Sequence, residues 1–243
     1  MAFDAEKGSG GKARESLSNI GLLTDLPSDA VHGLERQAQW TRYAAGAQII
    51  SRESGPEVPG ARDAMFVVQG AVRIVSYSKT GREVAYAVVP EGGYFGELSA
   101  LDGQPRSANA VAETACLIAS LSPSAFRGLL TDYPGVALRL IERLVHIIRD
   151  CDERIMDLAT LGAYQRVYRE ILKRAKPDPL RAGSWLVYPL PTQLDIASYA
   201  STTRETVARV LSSLTSSDIC ARKGKTLYIR NRDQLEQLIE PIE

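Results

Sequence analysis

From about Trp40 to Leu121 the chain alternates apolar and polar positions in short runs broken by turn residues. Met65-Phe-Val-Val68 stops at Gly70, and Val72-Arg-Ile-Val-Ser-Tyr77 alternates as far as the turn Lys79-Thr-Gly81. Glu83-Val-Ala-Tyr-Ala-Val-Val89 then runs to Pro90-Glu-Gly-Gly93, and Ala110-Val111 and Ala115-Cys-Leu-Ile-Ala-Ser-Leu121 add further strands. A period of two punctuated by glycine predicts a small antiparallel roll. At Asp132-Tyr-Pro134 the period changes, with proline suited to the first helical position. Ile141, Leu144, Ile148, Cys151, Ile155, Leu158 and Gly162 follow at alternating steps of three and four. Such a heptad seam suits either packing on its own domain or a parallel pairing of two copies. Arg143, Arg149, Asp150, Asp152 and Arg154 on the other faces favour the pairing.

Tyr164–Ala175 again has helical periodicity and is ended by Lys176-Pro-Asp-Pro179. Pro189-Leu-Pro191 leads into Thr192, a good N-cap for a helix over Gln193–Ala200. A turn through Ser201-Thr202 precedes a second helix, Thr203–Leu214, which Thr203 can cap. Val207, Val210, Leu211 and Leu214 form its buried stripe, while Arg204, Glu205 and Arg209 lie off it near the N-terminal end. Two short helices joined this way are a helix-turn-helix, whose second helix enters the DNA major groove. Cys220–Arg230 predicts two strands around Lys223-Gly-Lys225, a wing with lysines placed for phosphate. Asp233–Ile239 is patterned as a short amphipathic helix without an assigned role. The expected fold class is α+β. Residues 1–20 form a loose tail, 21–133 the roll, 134–162 the seam helix and 163–243 the winged helix-turn-helix.

The 243 residues suffice for two domains, each with its own core. No apolar run reaches the ~18 residues of a membrane span, and the N-terminus lacks a signal-peptide pattern, which points to the cytoplasm. Three scattered cysteines without CxxC spacing and two isolated histidines, His32 and His146, argue against a disulfide framework or a metal site. Net charge is zero, yet residues 163–243 carry 13 Lys/Arg against 9 Asp/Glu and residues 1–162 carry 16 against 20. That asymmetry is compatible with nucleic acid at the C-terminal end.

The run Tyr94–Ala110 changes the picture most. Gly96 and Glu97 stand nine to ten residues ahead of Arg106 and Ser107, with a turn-rich segment between. Backbone N–H groups around Gly96 and Ser107 can approach an anion, Arg106 offers a planar fork to phosphate, and Glu97 can accept from a ribose hydroxyl. The anchors Phe95-Gly-Glu-Leu98 and Pro105-Arg-Ser-Ala108 resemble the phosphate-binding cassette of cyclic-nucleotide-binding domains.

With roll, seam helix and winged helix-turn-helix in this order, the chain resembles the cAMP receptor protein family of bacterial regulators over roughly Leu22–Arg230. Phe66-Val-Val-Gln-Gly-Ala-Val72, Thr80-Gly-Arg-Glu-Val84, Leu158-Ala-Thr-Leu161, Thr203–Leu211 and Gly224-Lys-Thr226 carry the likeness. The resemblance implies cAMP as allosteric ligand, held by Ala87, Gly96, Glu97, Leu98, Arg106 and Ser107. It implies a homodimer on palindromic double-stranded DNA, RNA polymerase as a partner, no catalysis and no metal. Arg204, Glu205 and Arg209 match the base-reading positions, implying TGTGA-like half-sites, and Thr192, Thr203 and Lys225 are placed for phosphates. A surface ion pair is the plainer role for Arg204 and Glu205. The chain departs from the pattern in two places of the DNA module, with Ser201 where glycine is usual in the turn and Gln193 in place of a basic residue.

On the seam helix, Cys151 and Asp152 replace two adjacent hydroxyl residues that meet the adenine in the family. Cys151 fits packing at a dimer axis. Asp152 either accepts from a base, adenine N6–H or guanine N1–H and N2–H, or pairs with Arg149 or Arg154. The first role opens the pocket to cGMP as well as cAMP. Two rival readings are a regulator of this fold answering another signal, and an enzyme gated by the nucleotide domain. The second has little room in residues 163–243, which hold no histidine.

Overall fold

The computed structural model describes residues 15–55, 58–78, 81, 83–181 and 183–239. The chain divides into two units, one containing the described residues through Ile74 with Ala87–Ile141, the other Val75–Tyr86 with Glu142 onward.

In the first unit a 3-10 turn, Gly21–Leu23, and helix α1, Ser28–Gln37, precede strands β1, Gln39–Tyr43, and β2, Gln48–Ile50. The apolar runs give β3, Ala64–Gln69, β4, Ala71–Tyr77, and β5, Glu83–Pro90, of which Val75–Tyr77 and Glu83–Tyr86 belong to the second unit. Then come β6, Tyr94–Phe95, helix α2, Glu97–Asp102, β7, Asn109–Ala112, and β8, Cys116–Leu121. Two four-stranded sheets result, ordered β1-β8-β3-β6 and β2-β7-β4-β5. Met65, Val67, Phe95, Cys116 and Ile118 of the first sheet meet Ile50, Val72, Val89, Ala110 and Ala112 of the second in one core. Alternation then sends Phe66 the other way, onto Phe126 of helix α3, Pro123–Asp132, at 6.5 Å between ring centroids. Burying such a ring contributes about 2–3 kcal/mol. Ser122 caps α3, accepting from Ala125 N–H, with Pro123 in the first turn.

The loose tail expected over residues 1–20 is corrected at its inner end. Leu17 and Ile20 are buried, and Leu17 N–H donates to Glu35 Oε1 at 2.9 Å. Two large apolar residues are enough to fasten the segment, while residues 1–14 lie outside the described residues. Lys79, Thr80 and Arg82 of the expected turn lie outside them as well.

Helix α4, Pro134–Thr160, is the seam helix and runs 27 residues without interruption. Val136 and Leu140 are buried near its start, whereas Leu138, Ile141, Val145, Ile148 and Ile155 are all exposed by at least 42%. The apolar ribbon is thus broader than the expected seam, and its inward neighbour Leu144 is half-buried.

The second unit adds α5, Ala163–Arg174, β9, Lys176–Pro177, β10, Trp185–Val187, α6, Gln193–Tyr199, and α7, Arg204–Ser216. The wing follows as β11, Cys220–Lys223, and β12, Thr226–Ile229, in a sheet ordered β11-β12-β10-β9. Val167, Ile171, Ile196, Val207, Val210, Leu214 and Leu227 fill its core. The C-terminal segment is α8, Arg232–Gln237, capped by Asn231. It acquires a role here: Leu235 is fully buried in that core, and Gln165 Nε2 donates to Ile239 O at 3.1 Å.

Candidate functional site

The cassette folds around one arginine. Gly96 adopts φ +79° at the start of α2, and a Cβ there would stand 2.5 Å from Arg106 Nη1 and 2.9 Å from Asp63 O. Only glycine admits both that backbone and that approach. Arg106 is 4% exposed and gives Nη1 to Gly96 O at 3.0 Å and Nη2 to Gly60 O at 3.1 Å and Asp63 O at 2.8 Å. Its Nε is buried and meets no acceptor among the described residues. Burial pulls the guanidinium pKa down, opposed by Asp63 and then Glu97, and it remains a cation. Burial pushes the Asp63 carboxyl up, with Arg106 and a hydrogen bond to Ser120 working against that.

Gly96, Glu97 and Arg106 are therefore gathered as expected, with Glu97 also buried. Three of the donors of Arg106 are held by main-chain carbonyls. Leu98 and Ser107 flank the gathered groups in sequence and are exposed, as is Ala87 on β5. The turn Gly60–Asp63 escaped sequence reasoning because main-chain acceptors leave no mark in residue type. Cys151 and Asp152 sit exposed on α4, in the other unit. Asp152 forms no ion pair among the described residues, and Arg154 turns instead to Ala85 O at 2.8 Å and Ser201 Oγ at 3.2 Å. Pairing of Asp152 with Arg149 or Arg154 is thus absent.

The second constellation is the helix-turn-helix. Thr192 caps α6 in a reciprocal box: its Oγ accepts from Asp195 N–H at 3.2 Å and donates to Asp195 Oδ2 at 2.6 Å. Thr203 caps α7 by accepting from Thr206 N–H at 3.2 Å. Both hydroxyls are thereby engaged in capping, alongside any contact to phosphate. The turn between the helices puts Ser201 at φ +49°, a left-handed conformation usual for glycine. Arg166 steadies it, donating to Ala200 O at 2.9 Å and Ser201 O at 3.2 Å. Arg204, Glu205 and Arg209 are exposed on the first turns of α7. The Glu205 carboxyl lies below its usual range through its own main-chain N–H, then the Thr203 hydroxyl, with Arg204 and Arg209 adding attraction. Lys225 is exposed in the wing turn beside Gly224 at φ +56°. Among the described residues no cluster of three or more His, Cys, Asp or Glu could hold a metal, and no helix is long and apolar enough to cross a membrane.

A roll with a buried arginine in its cassette and a winged helix-turn-helix define a DNA-binding transcription regulator with a nucleotide-binding domain. Comparison with known proteins agrees. Residues 42–133 match the cyclic nucleotide-binding domain family, and residues 165–238 match the Crp-like helix-turn-helix domain family. The chain belongs to the CRP/FNR family of transcription regulators, which are not enzymes. It is 26% identical over 222 residues to the CRP-like cAMP-activated global transcriptional regulator of Mycobacterium tuberculosis, covering 91% of this chain and 97% of that one. It is 29% identical over 166 residues to the cAMP-activated global transcriptional regulator CRP of Salmonella typhimurium, covering 68% and 79%. The solved structure of FixK2 from Bradyrhizobium japonicum superposes with a TM-score of 0.64 at 26% identity, covering 85% of this chain and 99% of that chain.

Proposed function

We propose that the chain is a cytoplasmic homodimer in which a cyclic nucleotide, bound in each roll, governs attachment of two recognition helices to palindromic DNA with TGTGA-like half-sites. The observation that carries the ligand class is Arg106, a buried permanent cation whose Nε lacks an acceptor among the described residues and which is gathered with Gly96 and the Glu97 carboxylate. A phosphate oxygen supplies the acceptor that Nε lacks, and Glu97 accepts from a sugar hydroxyl. Ala87, Leu98 and Ser107 complete the pocket in this reading. Nucleotide acts as a switch by binding the DNA-competent state more tightly than the other.

Relatives named as cAMP-activated support cAMP as effector. An exposed Asp152 without an ion-pair partner among the described residues supports cGMP as a second ligand, because a carboxylate can accept from guanine N1–H and N2–H together. Cys151 packs at the dimer axis. Arg204, Glu205 and Arg209 read bases, while Thr192, Thr203 and Lys225 position phosphates. RNA polymerase is the downstream partner.

Calorimetry with cAMP and cGMP, paired with mobility shifts on a palindromic duplex, tests this on the wild type, Arg106→Leu and Asp152→Ala. Arg106→Leu should lose at least ~100-fold in affinity for both nucleotides and all nucleotide response on DNA, given charge-assisted bonds of ~1.5–3 kcal/mol each. Asp152→Ala should lose ~10-fold more affinity for cGMP than for cAMP. A retained response in Arg106→Leu overturns the ligand class and favours a regulator answering another signal. Equal effects on both nucleotides in Asp152→Ala overturn the base assignment.

A further inference from the structure

Strand β5 is the last strand of its sheet, so one row of its N–H and C=O groups faces away from the ladder. In an extended strand, alternate residues aim these groups at the same edge. At the Glu83–Ala85 end they are taken up by side chains from the DNA-binding module and from the seam helix α4. Ser198, in the first helix of the helix-turn-helix and 5% exposed, accepts from Ala85 N–H at 2.8 Å and donates to Glu83 O at 3.2 Å. Arg154 of α4 donates to Ala85 O at 2.8 Å and to Ser201 Oγ at 3.2 Å, and lies over the Tyr86 ring at 5.9 Å. A helical serine commonly returns its hydroxyl to the carbonyl one turn back. Ser198 instead spends both hydrogen-bonding functions on a strand 113 and 115 residues away in sequence.

We infer that Ser198 is a positioning residue for DNA recognition: its hydroxyl clips α6 to the outer edge of β5 and so sets the pose of the recognition helix. The same strand runs on to Ala87, next on that edge and assigned to the nucleotide pocket in the reading above, on which this coupling rests. A displacement of β5 by ligand is delivered to α6 through two hydrogen bonds, and Arg154 ties the turn residue Ser201 to the same strand. The hydroxyl contributes direction here, since it bridges a donor and an acceptor two residues apart and is satisfied only in one register.

The test uses the full chain. Nucleotide affinity is measured by calorimetry with cAMP and cGMP. DNA affinity is measured by fluorescence anisotropy with and without nucleotide, and exchange of the Ala85 amide by hydrogen-exchange mass spectrometry. Ser198→Ala should bind nucleotide within about 2-fold of wild type, yet lose about 10-fold of the gain in DNA affinity that nucleotide confers. Its Ala85 amide should exchange faster. Ser198→Thr, which keeps the hydroxyl, should restore the gain, an outcome that a purely structural role for Ser198 does not yield. Wild-type coupling in Ser198→Ala overturns the clip. Should the wild type respond to neither nucleotide, the ligand reading falls by itself. The clip then stands if Ser198→Ala shifts DNA affinity at least about 5-fold without changing the melting temperature, and falls if that affinity and Ala85 exchange are unchanged.

Discussion

In the nucleotide site proposed for the roll, Arg106 is already set in place by the protein's own main chain. Its guanidinium is desolvated, held flat by the carbonyls of Gly60, Asp63 and Gly96, and its buried Nε–H meets no acceptor among the described residues. Gly96 permits that posture through φ +79° and through the missing Cβ that would stand 2.5 Å from Nη1. Gly96→Ala should therefore cost about 1–2 kcal/mol in backbone strain alone, and the displaced guanidinium should lower nucleotide affinity at least ~10-fold. Thermal melting and calorimetry on the same preparation read the two effects separately. Glycine, carboxylate and arginine were legible in the sequence because side-chain chemistry marks them. The carbonyls that hold the arginine were not, since every residue carries one.

At the scale of elements, periodicity foretold β3, β4, β5, β7 and β8, the seam helix and both helices of the DNA module, with ends within a few residues, whereas β6 and α2 inside the cassette went unread. The helices α1 and α3 were missed inside a stretch read as a roll. Ser122-Pro123 is a sound cap and first-turn pair for α3, but ten residues beside strong strand patterns offer little periodicity to weigh. Helix α8 was seen without a purpose, because amphipathicity says that a face is buried and not what buries it. The structure supplies the partner, with Leu235 fully buried among Val167, Ile171 and Leu227. Leu235→Ala should lower the stability of the DNA-binding module by about 2–5 kcal/mol, seen as an earlier urea transition. An unchanged midpoint would show α8 to be an appendage.

For the whole molecule the exposed apolar ribbon of α4 sets the assembly. Ile141, Ile148 and Ile155 repeat every seven residues and are 54%, 59% and 62% exposed in the single chain. A second copy is the natural cover for a heptad ribbon, and two recognition helices then match a two-fold DNA site. Ile148→Lys places a charge at its midpoint and should convert the dimer to a monomer by light scattering, with DNA affinity falling at least ~100-fold as the second half-site is lost. A dimeric Ile148→Lys protein would place the assembly elsewhere. The sequence foresaw this ribbon, although its width emerged only with Leu138 and Val145 in place.

The outer edge of β5 bears on a hazard of a different kind. A bare strand edge is a template on which any extended chain can lay down a further strand, and sheet proteins bury, charge or interrupt such edges to stay apart from one another. Here the cover over Glu83 and Ala85 comes from Ser198 of the DNA-binding module and Arg154 of the seam helix. Solubility and obedience to signal thus share the same few atoms, and a chain that drifts away from one gives up the other.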